Sequence, residues 1–245
     1  MNSNNKIVSL YSELSSWWHL LSPIEDYKDE AAFYKQTFLK YSSQKPKTIL
    51  ELGSGGGNNA FFLKNDFSIT LVDISPGMLE VSHKTNPECE HIIGDMRSIR
   101  LNRIFDSVFI HDAIVYITKE EELQQVMETT FIHCKPGGVA LFAPDFVFET
   151  FKPYTDHGGK DTNSRGMRYL EWTFDPDKED TEYIVEFAIL LHEQGKNTQI
   201  KYDRHVLGLF KRDVWLRLLE DVKFNAKIIE DFEGRDLFVG TKQEN

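Results

Sequence analysis

The sequence predicts an α/β fold built on a doubly wound parallel sheet, and three observations carry that prediction. A glycine-rich run, Glu51-Leu-Gly-Ser-Gly-Gly-Gly57, directly follows the apolar Thr48-Ile-Leu50. A second acid, Asp73, closes the apolar Ile69-Thr-Leu-Val run 22 residues after Glu51. Strand-length apolar runs and amphipathic helical runs then alternate as far as Ala143, the order in which crossover helices join parallel strands. Gly53 and Gly55 let the backbone turn sharply and approach a ligand closely, and a carboxylate at the end of the second strand can accept both ribose hydroxyl protons. Together they read as a nucleoside-binding strand, loop and helix. The dinucleotide fingerprint G-x-G-x-x-G is not met, because Asn58 takes the third glycine position, and no G-K-[ST] follows to hold a triphosphate.

The elements follow in order. Ile7, Leu10, Tyr11, Leu14, Trp17, Trp18 and Leu21 recur at three and four residues, which predicts one amphipathic helix ending before Pro23. A second helix near Asp26–Tyr41 carries Ala31, Phe33, Tyr34, Phe38 and Leu39. Strands are expected at 47–52 and 68–73, then a helix from the cap and first-turn proline Ser75-Pro76 to His83, and a strand at Glu90–Ile93. Phe105–Ile110 is the fourth strand. Thr118-x-x-Glu121 reads as a capping box opening a helix with Leu123, Val126, Met127 and Phe131 on one side, and Val139–Ala143 is the fifth strand. The segment 144–210 is too long for a simple connection. It begins as a loop from Pro144 to Gly166 and continues as antiparallel strands, with Leu170, Trp172 and Phe174 alternating with Tyr169, Glu171 and Thr173, followed by Tyr183–Leu191 and Gln199–Leu209 around the turn Glu193–Asn197. A helix at Lys211–Val222 and strands at Ala226–Glu230 and Leu237–Gly240 complete the chain.

A chain of 245 residues with 40% hydrophobic and 13% aromatic content is expected to form one globular domain, residues 1–245. A net charge of −11 leaves no broad basic surface to neutralise phosphates, which disfavours nucleic acid and favours a small-molecule partner. Met1–Asn5 is polar with no h-region, and no apolar run approaches the ~20 residues that span a bilayer, so a cytoplasmic protein is expected, not a membrane one. Cys89 and Cys134 are too few for a disulfide framework, and they fall in or beside apolar core segments with His91 and His133, which reads as packing and not as a metal site.

Four motifs in order resemble those of the class I S-adenosylmethionine (SAM)-dependent methyltransferases. They are Glu51 with Gly53, Gly55 and Gly57; Asp73-Ile74; Gly94-Asp-Met96; and the turn Lys135-Pro-Gly-Gly138 before the fifth strand. The resemblance implies a Rossmann-like seven-stranded sheet with an antiparallel edge, an N-terminal helical lid over 1–44 and an antiparallel β cap, 144–210, inserted after strand five. Among small-molecule methyltransferases with such a cap, the order of elements and the ending Gly234-Arg-Asp-Leu-Phe-Val-Gly240 resemble the amino-sugar N,N-dimethyltransferases. It also implies SAM as cofactor. Gly53 and Gly55 would pass along it, Asp73 would bind the ribose, Ile74 and Met78 would pack near the adenine, and Asp95 and Met96 would sit at the adenine amino group. His111 would line the methionine end, Glu51 would order the loop or meet the amino group through water, and Tyr11 and Trp18 would close over SAM and the acceptor.

Methyl transfer from a sulfonium needs donor and acceptor held about 3–3.5 Å apart with water excluded. Phe109-Ile-His-Asp-Ala-Ile-Val-Tyr116 delivers His111, Asp112 and Tyr116 just beyond strand four, the catalytic candidates, and a histidine near pKa 6.5 suits a base at neutral pH. Acceptor-binding candidates are Tyr116 and, on the insertion, Asp145, His157, Arg168, Tyr169, Glu171, Trp172 and His205; the insertion is expected to build the acceptor pocket and not the cofactor pocket. The N-P-P-Y or D-P-P-Y run of base- and glutamine-directed N-methyltransferases is missing. The reading is methyl transfer from SAM to nitrogen or oxygen of a small metabolite, with homodimerisation left open. Two alternatives stand beside it: a nicotinamide-dependent oxidoreductase, disfavoured by Asn58 and by Lys135–Gly138, and a non-catalytic SAM-binding regulator or partner subunit.

Overall fold

The computed structural model describes residues 7–244; the polar Met1–Asn5 lies outside them. Five parallel strands form the centre of the main sheet: β1 (Thr48–Leu52), β2 (Ser68–Asp73), β3 (Glu90–Ile93), β4 (Phe105–Ile110) and β5 (Cys134–Phe142). The helices are α1 (Trp18–Leu21), α2 (Lys28–Tyr41), α3 (Asn58–Leu63), α4 (Pro76–Thr85), α5 (Glu120–His133) and α6 (Arg212–Asp221). A second sheet contains β6 (Tyr154–Gly158), β7 (Arg165–Phe174), β8 (Glu182–Glu193) and β9 (Gln199–Gly208), and β10 (Phe224–Glu230) and β11 (Asp236–Lys242) return to the first. The main sheet runs β10-β11-β5-β4-β1-β2-β3, with β11 antiparallel to both neighbours. Its central strands β1 and β4 are apolar on both faces because both are covered, while the edge strands β3 and β10 are half-exposed. Leu50, Leu52, Val72, Val108 and Ile110 face one core, while Ile49, Leu71, Phe109 and Leu141 face the other with Tyr34 and Phe38 of α2. Strand order reverses between β1 and β4, which opens a crevice at their carboxyl ends.

The predicted single helix over 7–21 is instead two 3-10 turns, Ser9–Tyr11 and Ser15–Trp17, followed by α1. The chain breaks at Ser12 (φ −118°, ψ −88°), whose hydroxyl donates to the Val8 carbonyl at 2.9 Å. Tertiary partners replace the helical ladder. The Asp203 carboxylate accepts the N–H groups of Leu10 (2.7 Å) and Ser9 (3.3 Å), and the Ser75 hydroxyl donates to the Tyr11 carbonyl. Leu10, Leu14 and Trp17 are still buried and Ile7, Tyr11, Trp18 and Leu21 half-buried, so periodicity reported the inward face and not the backbone.

Two local expectations are also corrected. Thr118 does not cap α5: the N-cap is Lys119 without a side-chain bond, and Glu120, Glu121 and Glu122 meet the positive end of the helix dipole instead. The Lys135–Gly138 run lies inside β5, where Gly137 at φ +75° accompanies a register shift against Phe105 and Ser107.

The insertion forms a four-stranded antiparallel sheet in the order β6-β7-β8-β9, and β6 arises within the segment expected to be loop. Met167, Tyr183, Val185, Ile189, Leu191 and Leu207 of this sheet share one core with Leu10, Leu14 and Trp17 and with Ile114, Val115 and Ile117 after β4. The N-terminal segment is thus held between the two sheets. Arg165 stacks its guanidinium 3.6 Å from the Trp17 ring centre, and the Lys160 N–H donates to the Leu20 carbonyl at 3.0 Å. Among the described residues no helix is long and apolar enough to cross a membrane.

Candidate active site

A cavity of about 520 Å³ opens at the carboxyl ends of β1 to β4. The glycine loop forms its floor, with Gly53, Gly55 and Gly57 at φ +70°, +53° and +73°. A Cβ on Gly53 would lie 2.3 Å from the Ala113 Cβ, so this glycine is required by both conformation and space. Asn58, the departure from a third glycine, opens α3 and ties the loop to the N-terminal segment. Its Nδ2 donates to the Ser22 carbonyl at 3.1 Å, and its Oδ1 lies 3.2 Å from His19 Nε2.

Every residue expected at the cofactor lines this cavity: Tyr11, Trp18, Glu51, Gly53, Gly55, Asp73, Ile74, Met78, Asp95, Met96 and His111. The Asp73 carboxylate accepts Gly55 N–H and Ser75 N–H, both at 2.7 Å, one on each oxygen, which leaves each oxygen a further lone pair for a hydroxyl. Ile74 is 46% exposed beside it, an apolar surface that a flat ring would cover. Asp95 is clasped by Arg97, whose Nη1 also reaches Glu122 at 2.8 Å. The cavity fits SAM on a further ground. Trp18 Nε1, Glu51 Oε2, Ser54 Oγ and Asn59 Oδ1 are buried side-chain atoms without hydrogen-bond partners, and all four residues line it. Such groups are costly unless a ligand satisfies them. Burial pushes the Glu51 carboxyl up to about 8, so it waits largely protonated for a cation such as an α-ammonium group.

His111 does not have the role expected of a base. Its Nε2 lies 3.0 Å from Glu30 Oε1 and its Nδ1 2.9 Å from Asp112 Oδ1. Burial disfavours the imidazolium, but the two carboxylates outweigh it and raise the pKa well above 6.5. His111 is therefore a buried cation with no lone pair to offer. Glu30 also meets Arg235 Nη2 at 2.7 Å and receives Asn59 Nδ2 at 2.9 Å, and Arg235 Nε reaches Asp231 at 2.7 Å. Beside this network burial and the Asp112 charge push Asp145 well above the carboxylate range, so it is held as a proton donor to Asp112.

The acceptor candidates divide. Asp112 and Tyr116 line the cavity. Tyr116 Oη lies 2.7 Å from His205 Nδ1 and 3.1 Å from Tyr11 Oη, so His205 sits one step behind the wall. His157, Arg168 and Trp172 lie elsewhere: their strands place them on the exposed outer face of the cap sheet, where His157 pairs with Leu170 and Arg168 binds Asp161. Tyr169 and Glu171 face inward, but they bond within the cap, to Asp156 and to Tyr154 and Thr173, and do not line the cavity. Only Arg204 and Val206 reach it from the cap strands, so the insertion is less a separate pocket than a wall and clamp. Sequence reasoning missed Glu30, Arg235, Asp203, Arg204 and Tyr27, which also lines the cavity and bonds to the Ser22 hydroxyl at 2.7 Å.

Residues 49–138 match a family model described as a methyltransferase domain. The chain is 25% identical over 219 residues to the dTDP-3-amino-3,4,6-trideoxy-alpha-D-glucopyranose N,N-dimethyltransferase of Streptomyces venezuelae, covering 88% of this chain and 91% of that protein. The crystal structure of Streptomyces venezuelae DesVI superposes with a TM-score of 0.84 at 22% identity, covering 94% of this chain and 98% of that one. SAM-bound CalS10, an amino pentose methyltransferase from Micromonospora echinaspora, superposes with a TM-score of 0.80 at 19% identity, over 99% of this chain and all, 100%, of that one.

Proposed function

This chain is a class I SAM-dependent methyltransferase, and we propose that it methylates the amino nitrogen of a nucleotide-linked amino sugar. The nicotinamide and non-catalytic readings are not favoured. Strand order supports an assignment of the cavity: Asp95 and Met96 follow β3, Asp73 and Ile74 end β2, Glu51 to Gly56 follow β1, and His111 to Tyr116 follow β4. Adenine, ribose and methionine would occupy these positions in turn, which leaves the acceptor beyond β4. When bound, SAM supplies an electrophilic methyl group. The observation that carries the amine reading is the chemistry of that acceptor end. Asp112, backed by protonated Asp145, and the phenols of Tyr116 and Tyr11 present acceptor oxygens to an ammonium or amine. The sugar-nucleotide relatives add the substrate class, and Arg204, at the cavity with only a 3.4 Å contact to Glu186, offers a cation to a diphosphate. The net charge of −11 supports a dissolved cytoplasmic substrate over nucleic acid.

The test is incubation with SAM and dTDP-3-amino-3,4,6-trideoxyglucose, read by mass spectrometry for singly and doubly methylated product. Incubation with labelled SAM and a fractionated small-molecule extract is the parallel arm. Labelling of a metabolite without a sugar amine, and none of the amino sugar, would overturn this reading.

A further inference from the structure

Tyr11, Tyr116, His205 and Asp203 form one continuous line of polar groups from the cavity wall into the cap sheet. They come from three parts of the chain: the first 3-10 turn, the end of the turn after β4, and two positions of β9 that share a face. Tyr116 Oη stands between Tyr11 Oη at 3.1 Å and His205 Nδ1 at 2.7 Å, and His205 Nε2 lies 3.3 Å from Asp203 Oδ2. Asp203 is fixed in turn by the N–H groups of Leu10 and Ser9. Tyr11 and Tyr116 line the cavity; His205 and Asp203 are buried behind them.

We infer that these four residues are a proton relay, in which His205 takes, through Tyr116 with Tyr11 as its hydrogen-bond acceptor, the proton that an ammonium acceptor must lose to be methylated. This rests on the amine reading above. The Tyr116 hydroxyl has one proton, and its two possible directions are the two ends of the relay. With His205 neutral, the Asp203 carboxylate 3.3 Å from Nε2 favours the proton on that nitrogen, and Tyr116 donates to Nδ1. When the acceptor gives its proton to the Tyr116 oxygen, the proton that Tyr116 held passes to Nδ1. His205 is then an imidazolium paired with Asp203, Tyr116 donates to Tyr11, and the acceptor nitrogen has its lone pair. No proton is created or lost.

Other groups at the site are poorly suited to this task. His111 has carboxylates at both nitrogens and is already protonated. Burial raises both phenols far above neutrality, so neither tyrosine persists as a phenolate and each can only pass a proton on. Asp203 and His205 do not touch the cavity, so they act through the tyrosines.

The first test needs no acceptor. Nitrogen-15 NMR of histidine-labelled enzyme is expected to show the neutral His205 ring with Nε2 protonated and Nδ1 bare; a neutral ring protonated on Nδ1 with Nε2 bare overturns the relay. The second uses dTDP-3-amino-3,4,6-trideoxyglucose. His205→Gln and Tyr116→Phe should each lower kcat by roughly 10²-fold with SAM affinity by calorimetry unchanged, and in His205→Gln, where the ring lost does not line the cavity, the KM for the sugar should stay within a small factor. The double variant should be no slower than the slower single, because links of one relay fail as a unit. Wild-type kcat in both singles, or losses that multiply in the double, would also overturn it. No turnover of the amino sugar by wild type instead sinks the substrate reading and leaves the NMR result to decide the relay.

Discussion

Binding of SAM should expel a proton from Glu51. This carboxyl is buried at the end of β1 with one oxygen unpartnered, and burial, together with the nearby Asp73 and Glu30 charges, raises its pKa to about 8 despite the His111 cation. At pH 7 a group of pKa 8 is about nine-tenths protonated. An α-ammonium against it would favour the ionised form, so about one proton leaves per SAM bound near neutrality. Between pH 6 and 7 the free carboxyl must be deprotonated to bind well, so affinity should rise about tenfold, about 1.4 kcal/mol, over that unit. Isothermal titration calorimetry in buffers of different ionisation enthalpy measures the proton directly. Glu51→Gln is the control: its binding heat should be buffer-independent and its affinity flat over the same range. A wild-type heat that does not depend on the buffer would mean that Glu51 neither ionises nor meets the cofactor.

Three further outcomes are expected. In Glu30→Gln the His111 and Arg235 cations lose their shared carboxylate; Glu30 resists ionisation through burial but is brought from 4.5 to about 2 by these cations, and breaking such a buried pair costs about 3 kcal/mol. That loss should appear in urea unfolding at pH 7. Because the Glu30 pKa is depressed, its contribution is present above 4.5 and lost as pH falls toward 2; because the His111 pKa is raised, the His111 contribution is present below 6.5 and fades as pH climbs through the raised value. A variant within 0.5 kcal/mol of wild type at pH 7 speaks against the network. Gly55→Asp, at φ +53° with Met78 Cε 3.7 Å from the new Cβ, and Asp73→Ala, which frees the N–H groups of Gly55 and Ser75, should each weaken SAM binding, the latter by about 1–3 kcal/mol. Unchanged calorimetric affinity in both folded variants would place SAM elsewhere. Replacing 144–210 by a short linker removes the Asp203 clamp and opens the core around Leu10, Leu14 and Trp17, so SAM binding and cooperative unfolding should be lost together. Wild-type SAM affinity in the truncated chain would make the insertion a detachable cap.

The centre of the main sheet was legible because β1, β2 and β4 are buried on both faces and read as nearly continuous apolar runs, as in Ile69–Val72 and Val108–Ile110. The functional ends of those strands were legible for the same reason: once a strand is located, the residues just past its carboxyl end face the crevice whatever the rest of the chain does. What was lost was whatever tertiary partners decide. Ser9 and Leu10 give their N–H groups to Asp203, almost two hundred positions away in sequence, and no local periodicity reports that a helix is broken by a side chain so distant. The face of the cap sheet was equally hidden. The inner set of β7 carries Tyr169, Glu171 and Thr173 while the outer set carries Leu170 and Trp172, so the usual rule of apolar-in points the wrong way. The cap residues expected at the acceptor come from both faces, His157, Arg168 and Trp172 of the outer set and Tyr169 and Glu171 of the inner, and none of the five lines the cavity.

The missed charges had a signal of their own. Glu30 stands four and eight residues before Tyr34 and Phe38, both fully buried, so it shares their stripe on α2 and must enter the core with a partner. Asp203 and His205 share the face of Leu207 on β9 and are buried with it. A charge in phase with buried apolar residues therefore marks a site more reliably than a histidine near a strand end. The two active-site histidines make the physical point. Each is buried and each has a carboxylate at Nε2. At Nδ1, however, His111 meets a second carboxylate and His205 meets a phenol. Two anions fix the first ring as a cation that organises the site, whereas the second ring has one anion and one neutral hydroxyl beside it, the surroundings that the proposed relay uses. Residue type and reference pKa are the same for both, so the division of labour between them is set by the groups that folding brings to the second nitrogen.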